Sequence, residues 1–494
     1  MSRAITITLL CIIIQEGKAQ TYFNKRLNYD NENNATIRFI VVNDTICISI
    51  NMLDTHDAFL GRLTLNGDTI PTKRYGVATG TYFNNAPILK MGNKLYLSGA
   101  GGFYNTIQSP FYKMNMQGDT LHTAFIGDTA YYAIIQAIVP STTHKDRMLF
   151  IGTTDSTCSI GHQGIYKPMV RVVDTNGVLL QTKLYTNNCR YTNVSTADTT
   201  ENKGYILSGS ELQTFTALYF VMKLDSNLNL VWKKYYNVTG RNVCGLVASK
   251  HGGYILGHTV TDSIVNFSTT WERPSISKLN TNGTVKWHKE YGVKEYGLAT
   301  LTLKECANGD IIMAGIKQVV TSAYKGWIMR TDSLGNLKWW RWYHAITTPV
   351  QDVTSDNYIY DIQELTNGDI VGVGSTGGSN VVTPLQQTWV LKTDQNGCLG
   401  ANNCPPSIAN GTNGVEELSE ASTNSVNVYP NPTTHTLNVY APNATQLVIY
   451  NLLGTIVQTT YTTTETTTIN TANLTNGIYI IKTNTGQVAK FVKE

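Results

Sequence analysis

The side chains able to do chemistry are spread along this chain rather than gathered. Its nine histidines, His56, His122, His144, His162, His251, His258, His288, His344 and His435, show no metal-ligand spacing. There is no H-E-x-x-H, no G-x-S-x-G, no phosphate-cradling glycine loop and no full calcium-loop run. No catalytic, cofactor-binding or metal-ligating residue is therefore nominated, and no cofactor is expected. The DTNG, DSLG and DQNG segments share only the opening of a calcium loop and read as plain turns. Among eight cysteines only Cys398 and Cys404 lie close together, six apart. In an exported chain that pair predicts a local disulfide, against the alternative that every cysteine is a small buried apolar side chain. Trp271, Trp340 and Trp342 fall out of phase with the other tryptophans. They are expected at the surface, where indole rings can stack on sugars.

One column of bases recurs: Arg62, Lys113, Arg171, Lys223, Lys278, Arg330 and Lys392. A functional reading makes it a ring of positive charge for acidic glycans or phosphates. A structural reading pairs each base with its own turn carboxylate, such as Asp225, Asp332 or Asp394, or with that of a neighbouring repeat. A feature present in every repeat builds the repeat more often than it binds a ligand, so the structural reading is preferred.

The column belongs to a repeat with an average period of about 55 residues. An alternating apolar strand ends in glycine at Gly209, Gly257, Gly315 and Gly374, with weaker copies at Gly99, Gly152 and around Cys47. The strand carrying the base follows, closed by a turn at Gly67, Gly118, Gly177, Leu228, Gly283, Gly335 or Gly397. A third strand rich in aromatics comes next, with Trp232, Trp287 and Trp339 in phase, and a fourth apolar segment completes the unit. Four short strands repeated seven times predict an all-β fold, a seven-bladed β-propeller. The seventh repeat lacks its aromatic strand. The segment from Tyr22 to Tyr29 has that cadence and is expected to pair beside Trp389 as a latch.

Composition agrees. Only 15% of the 494 residues are charged, against about 25% in an ordinary soluble domain. A net charge of +4 is too weak for a nucleic-acid binder, and none is expected as a partner. No apolar run approaches the ~20 residues that span a bilayer, so no transmembrane segment is expected in the mature chain. Residues 1–20, with Arg3, an apolar stretch from Ala4 to Ile14 and the exit Lys18-Ala19-Gln20, read as a cleaved secretory signal. The repeats occupy 21–404. Residues 405–425, rich in Pro, Gly, Ser, Asn and Glu, read as a linker. Alternating strands from 426 to 494 predict a small C-terminal β-sandwich.

That last segment carries Tyr429-Pro430-Asn431-Pro432, then Leu437-Asn438-Val439, Ile449-Tyr450-Asn451 with Gly454, Asn476-Gly477-Ile478-Tyr479-Ile480, and Lys490-Phe491-Val492-Lys493. It resembles the type A C-terminal sorting domain of the type IX secretion system of Bacteroidetes. The resemblance implies two-step export and engagement of the secretion machinery and its sorting protease. It also implies either attachment to surface lipopolysaccharide or release, giving a secreted or outer-surface location. The middle region is similar in style to the propeller-like cargo of such proteins. Three functions stay open: a non-enzymatic module binding a glycan or protein; an extracellular polysaccharide- or peptide-degrading enzyme with its site in the propeller channel; and a structural or adhesive surface component.

Overall fold

Apolar alternation bounded by Gly, Asn and Asp turns yields short antiparallel ladders throughout. The computed structural model describes residues 21–494 apart from 28, 30–32, 53–57, 76–86, 99–108, 128–132, 156–165, 186–191, 214–215, 237–242, 267–268, 293–294, 297, 321–322, 346–355, 378–384, 401–402, 406–411, 414–425, 442–443, 452–454, 463 and 485–487. The expected signal at 1–20, and most of the expected linker, lie outside the described residues.

Repeat one comprises Asn34–Val42, Thr45–Met52, Ala58–Thr64 and Thr69–Tyr75; repeat two, Ile88–Met91, Lys94–Ser98, Ser109–Met114 and Thr120–Ile126. Repeat three is Ala133–Pro140, Arg147–Asp155, Tyr166–Asp174 and Leu179–Leu184; repeat four, Thr192–Thr199, Tyr205–Gln213, Thr216–Leu224 and Leu230–Tyr236. Repeat five is Val243–Ala248, Tyr254–Asn266, Thr269–Leu279 and Val285–Tyr291; repeat six, Leu298–Glu305, Ile311–Val320, Ala323–Thr331 and Leu337–Tyr343. Repeat seven has Asp356–Glu364, Ile370–Gly377 and Gln387–Thr393. Its fourth strand is Phe23–Leu27, which pairs antiparallel with Gln387–Thr393 and sets Arg26 opposite Trp389. The N-terminal segment thus pairs where the sequence placed it.

The seven-bladed β-propeller is corrected. Among the described residues no sheet closes on itself or curls, and the hydrogen bonding does not give seven discrete four-stranded blades. Repeats six and seven join in one eight-stranded sheet through a parallel bridge between Tyr324 and Asp356. Repeat five gains Glu295–Tyr296 and Thr412–Asn413 as extra strands. The physical reason is that period and turn chemistry specify the pairing inside a repeat, where partners are local. They carry no information about how the edge of one ladder meets the next. What holds is an all-β chain of small antiparallel sheets.

Each base-bearing strand ends in a turn whose closing residue has a left-handed backbone, φ 74° to 85° at the six glycines and 65° at Leu228. Glycine takes that conformation without a Cβ penalty. At Gly335 a side chain would also stand 2.9 Å from the Trp287 ring of the preceding repeat. Neighbouring repeats share cores: one apolar cluster unites Phe39 and Leu63, Leu95 and Met114, and Val371 and Val390, from repeats one, two and seven.

The chain divides into two compact units, the second made of Leu418–Glu494 with Leu218–Val221 and Lys233–Asn237. The C-terminal strands form a three-stranded sheet (Asn427–Tyr429, Thr436–Tyr440, Thr466–Asn470) and a four-stranded one (Ile456–Tyr461, Gln446–Asn451, Gly477–Thr483, Val488–Lys493). Leu437, Val439 and Ile469 of the first meet Leu447, Ile481 and Phe491 of the second in one core.

Candidate functional site

In six of the seven first strands the register slips by one residue, between Thr36 and Arg38, Ile135 and Ala137, Val194 and Thr196, Val243 and Gly245, Thr300 and Thr302, and Ile359 and Asp361. Such bulges re-aim the side chains that follow them. The marker glycine does not end the second strand, which runs on to Asp155, Val320 or Gly377 in repeats three, six and seven, and it makes room for the bulge. A Cβ on Gly152, Gly315 or Gly374 would lie 1.8, 2.0 or 1.7 Å from the carbonyl oxygen of Ile134, Ala299 or Tyr358. The sequence marker of the repeat is therefore the partner of its bulge.

The residues after the bulges meet at one cavity of about 290 Å³, lined from the first-strand region of all seven repeats. Its polar groups include Arg38, Gln136, Asp198, Thr302, Lys304 and Asp361. Asp198 accepts the N–H groups of Ala248 (2.9 Å) and Thr199 (2.7 Å). Burial pushes its carboxyl above the usual range, opposed by those two N–H groups and the charge of Lys304. Asp361 accepts the Thr302 hydroxyl at 3.3 Å and the Ile362 N–H at 3.1 Å, with Lys304 Nζ at 3.7 Å. Asp198 and Asp361 share no hydrogen bond; each is held separately. Sequence reasoning missed these groups because 163 residues separate the two carboxylates. The recurring marker glycine was the signal that could have located them.

Four bases of the column, Arg62, Lys113, Arg330 and Lys392, are spent on joints between repeats. Arg62 donates to the carbonyl of Gln117 (2.5 Å), and Lys113 to Asn176 Oδ1 (3.0 Å). Arg330 donates to Asp310 (2.7 Å) and to Glu364 of the next repeat (2.9 Å). Lys392 donates to the Leu65 carbonyl (3.1 Å) and lies 3.3 Å from Asp369. The turn aspartates cap their own turns instead: Asp332 Oδ1 accepts the N–H groups of Leu334 (2.9 Å) and Asn336 (2.8 Å), and Asp394 does the same for Asn396 and Cys398. These acceptors are occupied by backbone, as a plain turn requires. Cys398 and Cys404 form the expected disulfide.

Of the three tryptophans nominated for exposure, Trp340 is buried, Trp342 is half-buried, and Trp271 is described by its backbone alone. Trp340 is only 2% exposed and packs edge-on against Trp327 at 5.5 Å, in the core shared by repeats five and six. Its expected exposure is corrected: alternate residues of Leu337–Tyr343 face opposite sides, and both sides are covered, since Trp339 is buried in the core shared with repeat seven. Trp342 is half-buried, with Lys317 Nζ 5.2 Å from its ring centroid. Trp271 lies on Thr269–Leu279, paired in backbone register with Ser263 and Tyr296.

A different aromatic group is accessible. Tyr324, Tyr358 and Tyr360 are half-buried and stack in a ladder, with centroids 5.3 and 5.5 Å apart. Beside it, one oxygen of Asp356 is buried without a hydrogen-bond partner, and burial pushes this carboxyl up to about 6. A raised folded-state value means that ionisation costs stability as pH rises from about 4 to 6. The shift corresponds to about 3 kcal/mol, reduced to roughly 1 because the group is half exposed. Asp356→Asn is therefore expected to unfold at higher temperature than the parent at pH 7, and at the same temperature at pH 3.5. Equal behaviour at both pH values in thermal melts would remove the assignment.

A chain of buried groups in repeat five has the residue types of a nucleophile relay. Ser275 bonds His258 (2.8 Å), His258 bonds Ser277 (3.0 Å), Ser277 bonds His288 (3.0 Å), and His288 lies 3.5 Å from Glu290. All are at most 4% exposed, so no substrate reaches them. Burial, then the neighbouring His288, holds His258 well below its ordinary value and therefore neutral. Among the described residues no three His, Cys, Asp or Glu side chains cluster as a metal site.

In the C-terminal unit both Tyr429-Pro430 and Asn431-Pro432 are cis. Asn431 ties this opening to the last strand, accepting the Val492 N–H at 2.8 Å and donating to the Lys490 carbonyl at 3.1 Å. Tyr479 donates to the Thr475 carbonyl and stacks on Phe491 at 5.5 Å, and Gly477 begins that strand with φ 156°. Gly454 lies outside the described residues. No helix among the described residues is long and apolar enough to cross a membrane.

Two solved structures illustrate the likeness of the chain to known proteins. Polysaccharide lyase Uly1 aligns with a TM-score of 0.43 and 9% identity, covering 77% of this chain and 93% of that one. The GH93 α-L-arabinofuranosidase of Fusarium graminearum aligns with a TM-score of 0.40 and 10% identity, covering 59% and 92%. Likenesses this loose carry no conclusion about activity. No curated protein sequence matches the chain. Residues 427–494 match the secretion system C-terminal sorting domain, so this is a chain with a type IX sorting domain and a secreted or cell-surface location.

Proposed function

We propose that this exported protein is a binding module that holds a polar ligand, a glycan or a protein loop, at the cavity where the seven first-strand regions meet. The observation that carries the reading is the separate anchoring of Asp198 and Asp361. Asp198 is fixed by two backbone N–H groups and Asp361 by one together with the Thr302 hydroxyl, as a preset recognition surface requires, and they do not form a coupled acid–base pair. The polymer-degrading reading draws on the same two carboxylates and on the raised Asp198 carboxyl. Export by the secretion machinery, proteolytic removal of 427–494 and surface attachment through lipopolysaccharide complete the proposal.

Glycan and protein arrays probed with the purified protein test it. Saturable binding is expected, weakened at least ~10-fold by Lys304→Ala or Asp361→Asn, consistent with loss of a charged hydrogen bond. Cleavage of a polymer that Asp198→Asn abolishes, without stable binding, would overturn it in favour of the enzyme.

A further inference from the structure

A second cavity, of about 460 Å³, opens where repeat four meets repeat five. Its origin is visible by comparing joints. Equivalent turns are marked by one hydrogen bond: Cys306 N–H to the Asp310 carbonyl, Leu365 to Asp369, Ser249 to Gly253 and Thr200 to Gly204. In repeat six the base Arg330 is answered by Asp310 of its own repeat and by Glu364, the residue just before Leu365, in the next. In repeat seven Lys392 is answered by Asp369. For Lys223 of repeat four the same two positions are Gly204 and Ala248. Both carboxylates are missing, and the volume they would fill is open.

Lys223 is left 9% exposed, lining this cavity, with neither a hydrogen bond nor an ion pair among the described residues. Its ammonium has only the Tyr254 ring, with the centroid at 5.8 Å. A buried cation without a counter-charge is costly and is ordinarily paired. Trp232 and Tyr254, edge to face at 6.0 Å, also line the space, together with Asn202, Thr281 and Asn282. Glu201 in the lining is exposed and forms no ion pair with Lys223.

We infer that this cavity binds an acidic saccharide, its anionic group on Lys223 and its ring against Trp232 and Tyr254. An aromatic wall takes the apolar face of a pyranose, the amides and hydroxyl take its hydroxyl groups, and the anion supplies the charge missing at Gly204 and Ala248. The inference deepens the binding reading and rests on it, naming a ligand class and a site apart from the first cavity.

The test uses the full chain with oligogalacturonate and a neutral oligogalactan of equal length, followed by calorimetry and tryptophan fluorescence. The acidic ligand is expected to bind at least ~10-fold more tightly. Lys223→Gln is expected to erase that preference without lowering the melting temperature, because no native pair is broken. Ala248→Glu supplies the missing carboxylate, and is expected to raise the melting temperature and abolish binding. Equal affinity for both sugars, retained preference in Lys223→Gln, or a preference for acidic peptides over the acidic sugar would each overturn this site. The broader reading is judged separately: Asp361→Asn and Lys304→Ala are expected to leave oligogalacturonate binding intact, and a parallel loss would move the ligand to the first cavity and overturn the assignment to Lys223.

Discussion

Replacing Arg330 by alanine is expected to lower stability by about 3–5 kcal/mol, the cost of leaving buried charges uncompensated. Its guanidinium holds Asp310 at 2.7 Å and Glu364 at 2.9 Å, with all three side chains at most 10% exposed. Asp310 keeps Lys338 at 2.8 Å, so the larger loss falls on Glu364, which retains the Ala307 N–H and the neutral Cys306 thiol but no counter-charge. Burial alone would raise the Asp310 carboxyl, yet Lys338 and Arg330 hold it below its usual value. That contribution is present above the ordinary carboxylate range and is lost as pH falls through the lowered value. Urea unfolding of Arg330→Ala at pH 7 measures the cost. The double variant Arg330→Met, Glu364→Leu is expected to recover most of it, because an apolar pair needs no counter-charge. A single variant as stable as the parent would show the joint to be indifferent to its ion pairs.

A chain beginning at Asn28 is expected to lose at least about 4 kcal/mol, since burial of one Phe and one Leu is removed together. Phe23 and Leu27 are 7% and 6% exposed. Asn24 accepts the Trp389 indole N–H at 2.6 Å, and Lys25 donates to the Gly67 carbonyl at 2.6 Å. Without these residues Gln387–Thr393 becomes a bare edge, which invites pairing between molecules. Thermal melts should show the loss and sedimentation should show association. A peptide of residues 21–29 added in trans should reverse both. An unchanged melting temperature would show that the strand adds nothing to the sheet.

These two variants also mark what the sequence made legible. The turn column, the latch beside Trp389, the Cys398–Cys404 bridge and the sorting segment each rest on local pattern or on a dense motif, and they could be read directly. The burial of Trp340 could not, because alternation tells which side of a strand a residue faces but not whether that side is covered. The fusion of repeats six and seven through Tyr324 and Asp356 escaped for a related reason, as edge pairing leaves no periodic trace. The cavities were partly legible. Aspartate stands before the apolar run in GDIIMAG and GDIVGVG, where GYILSG has none. GGYILG lacks it too, so the Lys223 joint is set apart only when Ala248 is compared with Glu364 through the ion pairs of repeats six and seven.

The offset of contacts by one repeat has a consequence for how such a chain can change. Tyr185 reaches the Leu228 carbonyl at 2.8 Å, Tyr291 that of Gly335 at 2.9 Å, and Tyr343 that of Gly397 at 2.7 Å, each in the repeat that follows. Those tyrosine contacts are generic, and any repeat could receive them. The bases are not: Arg330 requires Glu364 ahead of it, whereas Lys223 is followed by Ala248. The repeats share a backbone but are not interchangeable parts. Exchanging repeats five and seven would strand Arg330 against a neutral neighbour and close the space before Lys223. Their order along the chain is written in the side chains at the joints, and duplication or shuffling would have to rewrite those positions before it could give a stable protein.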